Sequence, residues 1–438
     1  MKGKSLFSLV MILVVAGLVA FGGYTFFKDL EGPTFALIPE SDHVSPQREL
    51  MLTMQDPSGI RSVTISVRKN NSTVPIFEKT FKEPKKEESV TFSLKNSGLR
   101  DGAFDLEIKV VDASLAGFGQ GNARTRLLPM SYDTKAPNIA LENARPPYIR
   151  RGGSAVICYK VSEGVSRTGV RLGELFFRAF QQKDGSYVCF FPFPHYYTVQ
   201  NYHPTILAED LGGNVKDVHL PMYPIDRTFK QDTMPITDAF LEKVNDTLQE
   251  LAPNAKTPLE RYMLINKNLR AANVQFLREL GSQSANSMLW RGAFMRLPRS
   301  APRAGFADHR IYMYNNEKID EQDHLGFDLA SVQNADVPAA NNGRIVYTGA
   351  LGIYGNLIVI DHGLGVMSLY SHLSSITVND GDEVTRGQII GKTGSTGMAF
   401  GDHLHFGILV GGIEVTPLEW IDPQWIRDNI TSRLTPQS

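Results

Sequence analysis

Histidine and aspartate residues cluster in the last third of the sequence. Six of the ten histidines fall between His309 and His405, and four of them lie in the segments His324-Leu-Gly-Phe-Asp328 and Asp402-His403-Leu-His405 and at the separate His372. Imidazole nitrogens and carboxylate oxygens are ligands that Zn²⁺ prefers. Three such ligands leave one coordination position for water, which is the arrangement of a hydrolytic zinc site. The residue types therefore predict a metal centre.

Both segments alternate apolar and polar residues with the period of a β-strand. In the first, the apolar residues take the odd positions, so His324 and Asp328 share one face and the small Gly326 between them leaves room for an ion. In the second, His403 and His405 alternate with apolar residues in the same way. We therefore expect two strands that direct these side chains into one cleft.

The order of these segments resembles that of the lysostaphin-type, LytM-like zinc metallopeptidases. The resemblance covers roughly residues 299–425 and includes Tyr370-Ser-His372, Thr393-Gly-Ser-Thr-Gly397 and Gly401-Asp-His-Leu-His-Phe406. It implies an antiparallel β peptidase domain of a type related to barrel-sandwich folds. It also implies hydrolysis of peptide bonds in the cross-bridges or stem peptides of bacterial peptidoglycan.

The resemblance also implies roles for single residues. One Zn²⁺ per chain would be held by His324, Asp328 and His405, with His372 and His403 as catalytic residues. The sequence has no H-E-x-x-H helix to supply a glutamate base. We assign His403 as general base and His372 to orienting water or stabilising the oxyanion, and an exchange of these two roles stays open.

Two functional classes follow from the resemblance. The first is a zinc-dependent endopeptidase of peptidoglycan peptides that acts in cell-wall remodelling. The second is a catalytically silent relative that activates other wall hydrolases or serves as their scaffold. Because all five expected metal and catalytic positions are present, the sequence favours the enzyme. The formal net charge of −1 gives no electrostatic reason to expect nucleic-acid binding.

The amino terminus predicts a membrane location. Residues 5–27 contain no charged side chain, which is about the length that crosses a bilayer core. Lys2 and Lys4 place the amino terminus on the cytoplasmic side. We therefore expect a single-pass anchor in the inner (cytoplasmic) membrane, with the rest of the chain in the periplasm. A cleaved signal peptide, ending near Ala20-Phe-Gly22, is the alternative.

The length of 438 residues predicts several domains, most of them β. Short alternating strands in the first half indicate β-sandwich-like domains, which are candidate surfaces for cell-envelope protein partners. The expected boundaries are 1–29 for a transmembrane anchor, 30–133 for a β-sandwich-like domain, 134–228 for a second β domain, 229–298 for a helical linker, 299–426 for the zinc metallopeptidase domain and 427–438 for a tail.

The linker is expected to be a helical hairpin. One helix spans roughly residues 238–251, and a second begins at the capping box Thr257-Pro-Leu-Glu260 and ends at Gly281. Cys158 and Cys189 both sit in strand-like segments, where a disulfide and two buried thiols are equally compatible with the sequence. Arg310 is interpreted as an exposed loop residue, with contact to a substrate carboxylate as the alternative.

Overall fold

Strands contain more than twice as many residues as helices, which confirms the predicted mostly-β fold class. The computed structural model describes residues 2–27, 29–69, 72–142 and 146–434. The chain divides into two units. The first consists of Met1–Pro137, Glu163–Ser166 and Glu209–Lys216, and the second of Asn138–Ser162, Arg167–Ala208 and Asp217–Ser438.

The first element is helix α1, Lys2–Phe27. Within the described part of the chain, no helix reaches the length and apolar character that crossing a bilayer requires. The predicted transmembrane anchor at 1–29 is therefore wrong, and so is the single-pass location in the inner membrane that was inferred from it. The last four residues of the predicted tail, 435–438, lie outside the described residues.

The first unit contains a sheet of three strands in the order β1-β3-β6 and a sheet of five in the order β2-β8-β7-β4-β5. Alternation along β7 buries every second side chain, including Leu106 and Ile108, in the core of this unit. A short helix, α2, spans Ala116–Gly119. The strands are β1 (Thr34–Ile38), β2 (His43–Val44), β3 (Leu50–Gln55), β4 (Ile60–Lys69), β5 (Ser72–Thr80), β6 (Glu87–Phe92), β7 (Gly102–Asp112) and β8 (Ala123–Tyr132).

The second unit begins with ten strands in three small sheets, β14-β15-β11-β9, β13-β12-β16-β17 and β10-β18. A 3₁₀ helix spans Val199–Asn201. The strands are β9 (Ile139–Leu141), β10 (Tyr148–Arg150), β11 (Ser154–Val161), β12 (Val165–Leu172), β13 (Leu175–Arg178), β14 (Phe180–Gln181), β15 (Tyr187–Pro192), β16 (Thr205–Asp210), β17 (Val215–His219) and β18 (Tyr223–Ile225).

Strand register separates the two cysteines. In the antiparallel pair β11–β15, Cys189 lies opposite Ile157, and Cys158 lies opposite Val188. Residues opposite each other share a face of the sheet, and neighbours along a strand point to opposite faces. The two thiols are therefore on opposite faces, and no disulfide joins them. Both are buried as small apolar side chains, which was the second of the two sequence interpretations.

The predicted helical hairpin is present, and a strand precedes it. Strand β19 (Gln231–Ile236) leads into α3 (Asp238–Gln249). The second helix is built from α4 (Pro258–Met263), a π-helical stretch over Leu264–Leu269, and α5 (Arg270–Gly281). The predicted helix start is confirmed, because the Thr257 hydroxyl accepts a hydrogen bond from the backbone N–H of Glu260 at 3.1 Å. The Glu260 carboxylate accepts from the backbone N–H of Lys256 at 2.8 Å rather than from that of Thr257, so only half of the predicted capping box forms.

The carboxy-terminal part is built around one large sheet. Its strand order is β20-β23-β31-β27-β26-β25-β29, and β32 pairs with β31. The same region of the sequence also forms two three-stranded sheets, β19-β21-β22 and β24-β30-β28. The strands are β20 (Ala301–Pro302), β21 (Asp308–Tyr314), β22 (Glu317–His324), β23 (Phe327–Ala330), β24 (Asp336–Pro338), β25 (Gly343–Ala350), β26 (Asn356–Gly363), β27 (Val366–Ser371), β28 (Ser375–Ile376), β29 (Glu383–Val384), β30 (Ile389–Lys392), β31 (Leu404–Val410) and β32 (Ile413–Val415).

Short helical segments complete this part. A 3₁₀ helix spans Gly352–Tyr354, and the chain ends with α6 (Pro417–Trp420), α7 (Pro423–Ile426), a π-helical turn over Arg427–Thr431, and α8 (Ser432–Leu434). Trp420 of α6 is fully buried in the core on one face of the large sheet. The helices α3 to α5 contribute to a second core, which also contains side chains of β26, β27 and β31.

Candidate metal centre

Strand pairing brings Asp328 and His405 side by side. Strands β23 and β31 are antiparallel, and their register places Asp328 opposite His405. His324 is the last residue of β22, so the first motif is two strands separated by Leu325–Gly326 rather than the single strand that its alternation predicts. The break lets His324 turn towards Asp328. The His324 Nε2 and Asp328 Oδ1 atoms are 3.0 Å apart, and His405 Nδ1 lies 3.0 Å from the first and 2.9 Å from the second.

The donor set fits a cation. His324 donates through Nδ1 to the backbone carbonyl of Gly305 at 2.8 Å, so the neutral ring has a lone pair on Nε2. That lone pair faces a carboxylate oxygen of Asp328, and a cation removes the repulsion between them. The three atoms form a triangle with sides of about 3 Å, close to the roughly 3.3 Å separation of ligands around a tetrahedral zinc ion. The group can therefore hold a metal ion.

Electrostatics favour the charge states that a metal needs. Burial opposes ionisation of Asp328, but the imidazoles of His324 and His405, which contact its Oδ1 atom, outweigh burial and hold the pKa of this carboxyl far below its usual range. Burial lowers the pKa of His405 to about 4, although Asp328 acts against this shift. The site therefore offers the carboxylate of Asp328 and a neutral imidazole at His405.

Gly326 is required by the close approach of His405. A Cβ atom added at this position would lie 2.3 Å from the Nε2 atom of His405. Any side chain here would displace the imidazole ring. This agrees with the sequence argument that a small residue between His324 and Asp328 leaves space at the site.

The two remaining histidines lie against the same group. His372 follows β27 with a left-handed backbone (φ 62°), and its Nδ1 donates to the Thr396 carbonyl at 2.8 Å. His403 donates through Nδ1 to the Gly401 carbonyl at 2.8 Å, and its Nε2 is 3.6 Å from Asp328 Oδ1. The ring centroids of His372 and His403 are 4.9 Å apart. In both neutral rings the Nε2 atom therefore has a lone pair.

All five residues predicted from the motifs line one cavity of about 460 Å³. Burial lowers the pKa of His372 to about 3, so this ring is neutral. The remaining walls come from β19, the helices, the β21–β22 hairpin and the loop before β31. Their lining residues are Met234, Pro235, Ile236, Phe240, Tyr262, Arg270, Arg310, Tyr312, Leu325, Ile353, Tyr354, Met398, Ala399 and Phe400.

Sequence reasoning missed most of these walls. Tyr262 and Arg270 lie in the predicted linker, where nothing local signals a cavity residue. Arg310 is not a loop residue, because it lies on β21 and is half-buried. His362, the histidine of β26, is fully buried away from this cavity and hydrogen-bonds to the hydroxyl of Ser368 at 2.7 Å.

Comparison with known proteins identifies the domain that carries this site. The model of peptidase family M23 matches residues 322–417. The DD-carboxypeptidase/endopeptidase Mpg of Neisseria meningitidis serogroup B is 41% identical over 95 residues, which is 22% of this chain and 22% of Mpg. The lipoprotein NlpD of Yersinia enterocolitica is 42% identical over 95 residues, 22% of this chain and 97% of that protein.

The murein hydrolase activator NlpD of Escherichia coli (strain K12) is 39% identical over 102 residues, 23% of this chain and 27% of that protein. The chain thus spans only about a fifth to a quarter of the length of Mpg and of this activator. It covers nearly all of the Yersinia sequence, and the family model matches the segment that contains His324, Asp328 and His405. This chain is therefore a member of peptidase family M23.

Proposed function

We propose that the chain is a zinc-dependent endopeptidase that hydrolyses peptide cross-links or stem peptides of bacterial peptidoglycan. The observation that carries the proposal is the convergence of His324 Nε2, Asp328 Oδ1 and His405 Nδ1 within about 3 Å of one another. Two further histidines with available Nε2 lone pairs lie on the same cavity. Membership of family M23 and the name of the matching endopeptidase Mpg support the same activity.

His324, Asp328 and His405 would hold one Zn²⁺ per chain. Bound there, the ion would polarise the scissile carbonyl and make hydroxide available near neutral pH. Asp328 supplies the only negative charge of this trio, and its ionised state is secured by the two flanking imidazoles.

His403 is the better candidate for the general base. Its Nδ1–H is engaged by the Gly401 carbonyl, so Nε2 is the atom that accepts a proton from water. The side chain of His403 is 18% exposed, whereas His372 is 7% exposed and its pKa is lowered to about 3 by burial. His372, held by Thr396, is assigned to orienting water or stabilising the oxyanion.

Zinc content and hydrolysis measured on the same samples test the proposal. Wild-type protein should bind one zinc per chain and release fragments from peptidoglycan, identified by mass spectrometry. Asp328→Ala should lose both the metal and the activity. His403→Ala should keep most of the zinc and lose about 10²- to 10⁴-fold in rate, the usual contribution of a general base.

Two results would count against the assignment. Wild-type protein that binds no stoichiometric zinc in excess metal would remove the basis of the enzyme. Loss of metal in His403→Ala would show that this residue is a ligand, and the division between ligands and catalytic residues would then be wrong.

The second candidate is an activator or scaffold for other wall hydrolases. The observation in its favour is the match to a murein hydrolase activator in Escherichia coli. An activator releases nothing from peptidoglycan by itself but accelerates a partner hydrolase added to the same reaction. The digestion assay with and without such a hydrolase therefore separates the two functions.

A further inference from the structure

Two arginines line the cavity that contains the five motif residues. Arg310 lies on β21, and Tyr312, two residues later on the same face of this strand, lines the cavity with it. Arg270 is the first residue of α5 and reaches the cavity from the helical side. Both side chains are half-buried. Two guanidinium groups therefore reach one cavity from elements that are distant in sequence.

The protein holds Arg270 in place but leaves Arg310 available. Arg270 donates through Nε to the backbone carbonyl of Asn266 at 3.2 Å and through Nη2 to its side-chain oxygen at 2.9 Å. The backbone of Arg310 is paired within the sheet, but among the described residues its side chain has no hydrogen-bond or ion-pair partner. Asp320 instead accepts hydrogen bonds from the side-chain amides of Asn266 and Gln322 at 2.8 and 3.0 Å.

A half-buried guanidinium without an acidic partner is suited to an anion that arrives with a ligand. Its planar group pairs with a carboxylate through two parallel hydrogen bonds, which gives both affinity and orientation. Other lining residues of the cavity are apolar, including Met234, Ile236 and Phe240 from the β19–α3 segment, next to β21 in the sheet, and Phe400 from the loop before β31. A peptide with an aliphatic part and a free carboxylate matches both parts of this lining.

We propose that Arg310, with Arg270 beside it, recognises a free carboxylate of the substrate peptide. The substrate class is then a peptide with a free carboxylate and an aliphatic part, rather than a neutral peptide. This inference rests on the proposed function, because it assigns the specificity of the same cavity. Arg310 is a specificity-determining residue in this assignment and takes no part in bond cleavage.

Peptide binding to the full-length, metal-free protein tests carboxylate recognition by Arg310 without requiring catalysis. The probes are a short aliphatic peptide with free carboxylates and the same peptide with every carboxylate amidated, titrated by calorimetry. The wild type should bind the acidic form about 10- to 100-fold more tightly, the range expected for hydrogen bonds to a charged group. Arg310→Gln should remove this preference. Arg310→Lys, which keeps the charge but not the paired hydrogen bonds, should retain part of it.

Arg386→Gln is the matched control, because Arg386 is exposed and does not line the cavity. It should keep the wild-type preference, and thermal melting should show that each variant is folded. Equal affinity of the wild type for the two peptides, no binding of the acidic form, or an undiminished preference in Arg310→Gln would overturn the inference.

The two proposals fail in different ways. A zinc-loaded protein that binds the acidic peptide selectively but cleaves neither form would contradict the endopeptidase and leave carboxylate recognition intact. Cleavage of both forms at equal rates, with equal affinities, would contradict the recognition and support the endopeptidase.

Discussion

The carboxyl group of Asp328 is both buried and ionised, although burial usually opposes ionisation. It is largely buried, which raises its pKa, and it must be ionised to bind a cation. The imidazoles of His324 and His405 both contact the same oxygen, Oδ1, at 3.0 and 2.9 Å, and together they lower its pKa. The two rings are positioned by different contacts. His324 is oriented by a hydrogen bond to the carbonyl of Gly305, and His405 lies against the backbone of Gly326, which has no side chain.

Gly326→Ala should therefore weaken metal binding through a steric clash alone. The added Cβ would meet the His405 ring at 2.3 Å, so the ring must move and the ligand geometry is lost. We expect zinc affinity to fall about 10- to 100-fold, the size of effect seen when the support of a metal ligand is disturbed. Competition with a chromophoric chelator measures it.

Gly401→Ala is the control for that measurement. A Cβ at Gly401 would meet no atom within 4 Å, so zinc affinity should be unchanged. Equal zinc affinity of Gly326→Ala and wild type would show that the His405 ring can shift without cost, and that Gly326 is not required there.

The helices α3 to α5 are part of the core of the peptidase region rather than a spacer. Leu241, Tyr262 and Leu277 are buried together with Met367 of β27 and Leu409 of β31. An apolar stripe of this kind stabilises a helix because it removes side chains from water. The same elements supply Tyr262 and Arg270 to the cavity, so packing and site construction are linked here.

Leu277→Ala should lower the free energy of unfolding, because it removes part of this packing. Leu277 is fully buried, and truncation of such a side chain costs about 2–5 kcal/mol of unfolding free energy. Leu264 of the π-helical stretch is 38% exposed, so Leu264→Ala should cost less than about 1 kcal/mol. Urea denaturation gives both values. A similar, small loss in the two variants would mean that the helices contribute little to the core.

A buried carboxyl group makes the stability of the second unit depend on pH. Glu419 of α6 accepts a hydrogen bond from the backbone N–H of Ser154 on β11 at 3.2 Å and has Arg227 at 3.7 Å. Burial raises the pKa of Glu419 to about 7, although Arg227 and Ser154 act against this rise. The native state therefore holds a proton on this group at pH values where the unfolded chain has released it.

Glu419→Gln should remove this contribution. Because the native pKa lies above the unfolded value of about 4.5, native stability falls as pH rises from about 4.5 to 7. The variant, which cannot ionise, should gain up to about 3 kcal/mol relative to wild type across that interval. Urea denaturation at pH 4.5 and 7.5 measures the difference.

Glu174→Gln, at an exposed position in the same unit, is the control and should follow the wild type at both pH values. A constant difference between Glu419→Gln and wild type from pH 4.5 to 7.5 would contradict the assignment of a raised pKa to this group.

The sequence by itself determined the residue types of the site and the local elements that carry them. Alternation with a period of two predicted the faces of β23 and β31, and the capping box at Thr257 predicted where the second helix begins. These signals can be recognised in the sequence because each depends only on residues that are close to one another along the chain. The anchor at 1–29, inferred from hydrophobicity alone, is the element for which this reasoning failed.

Only the tertiary structure decided which residues meet. The register that sets Asp328 opposite His405, the left-handed turn that presents His372, and the parallel pairing of β19 with β21 join positions far apart in the chain. Such contacts depend on packing of whole elements, and no local pattern encodes them. For the same reason Arg270, from a helix, and Arg310, from a hairpin, line one cavity although nothing in their sequence neighbourhoods connects them.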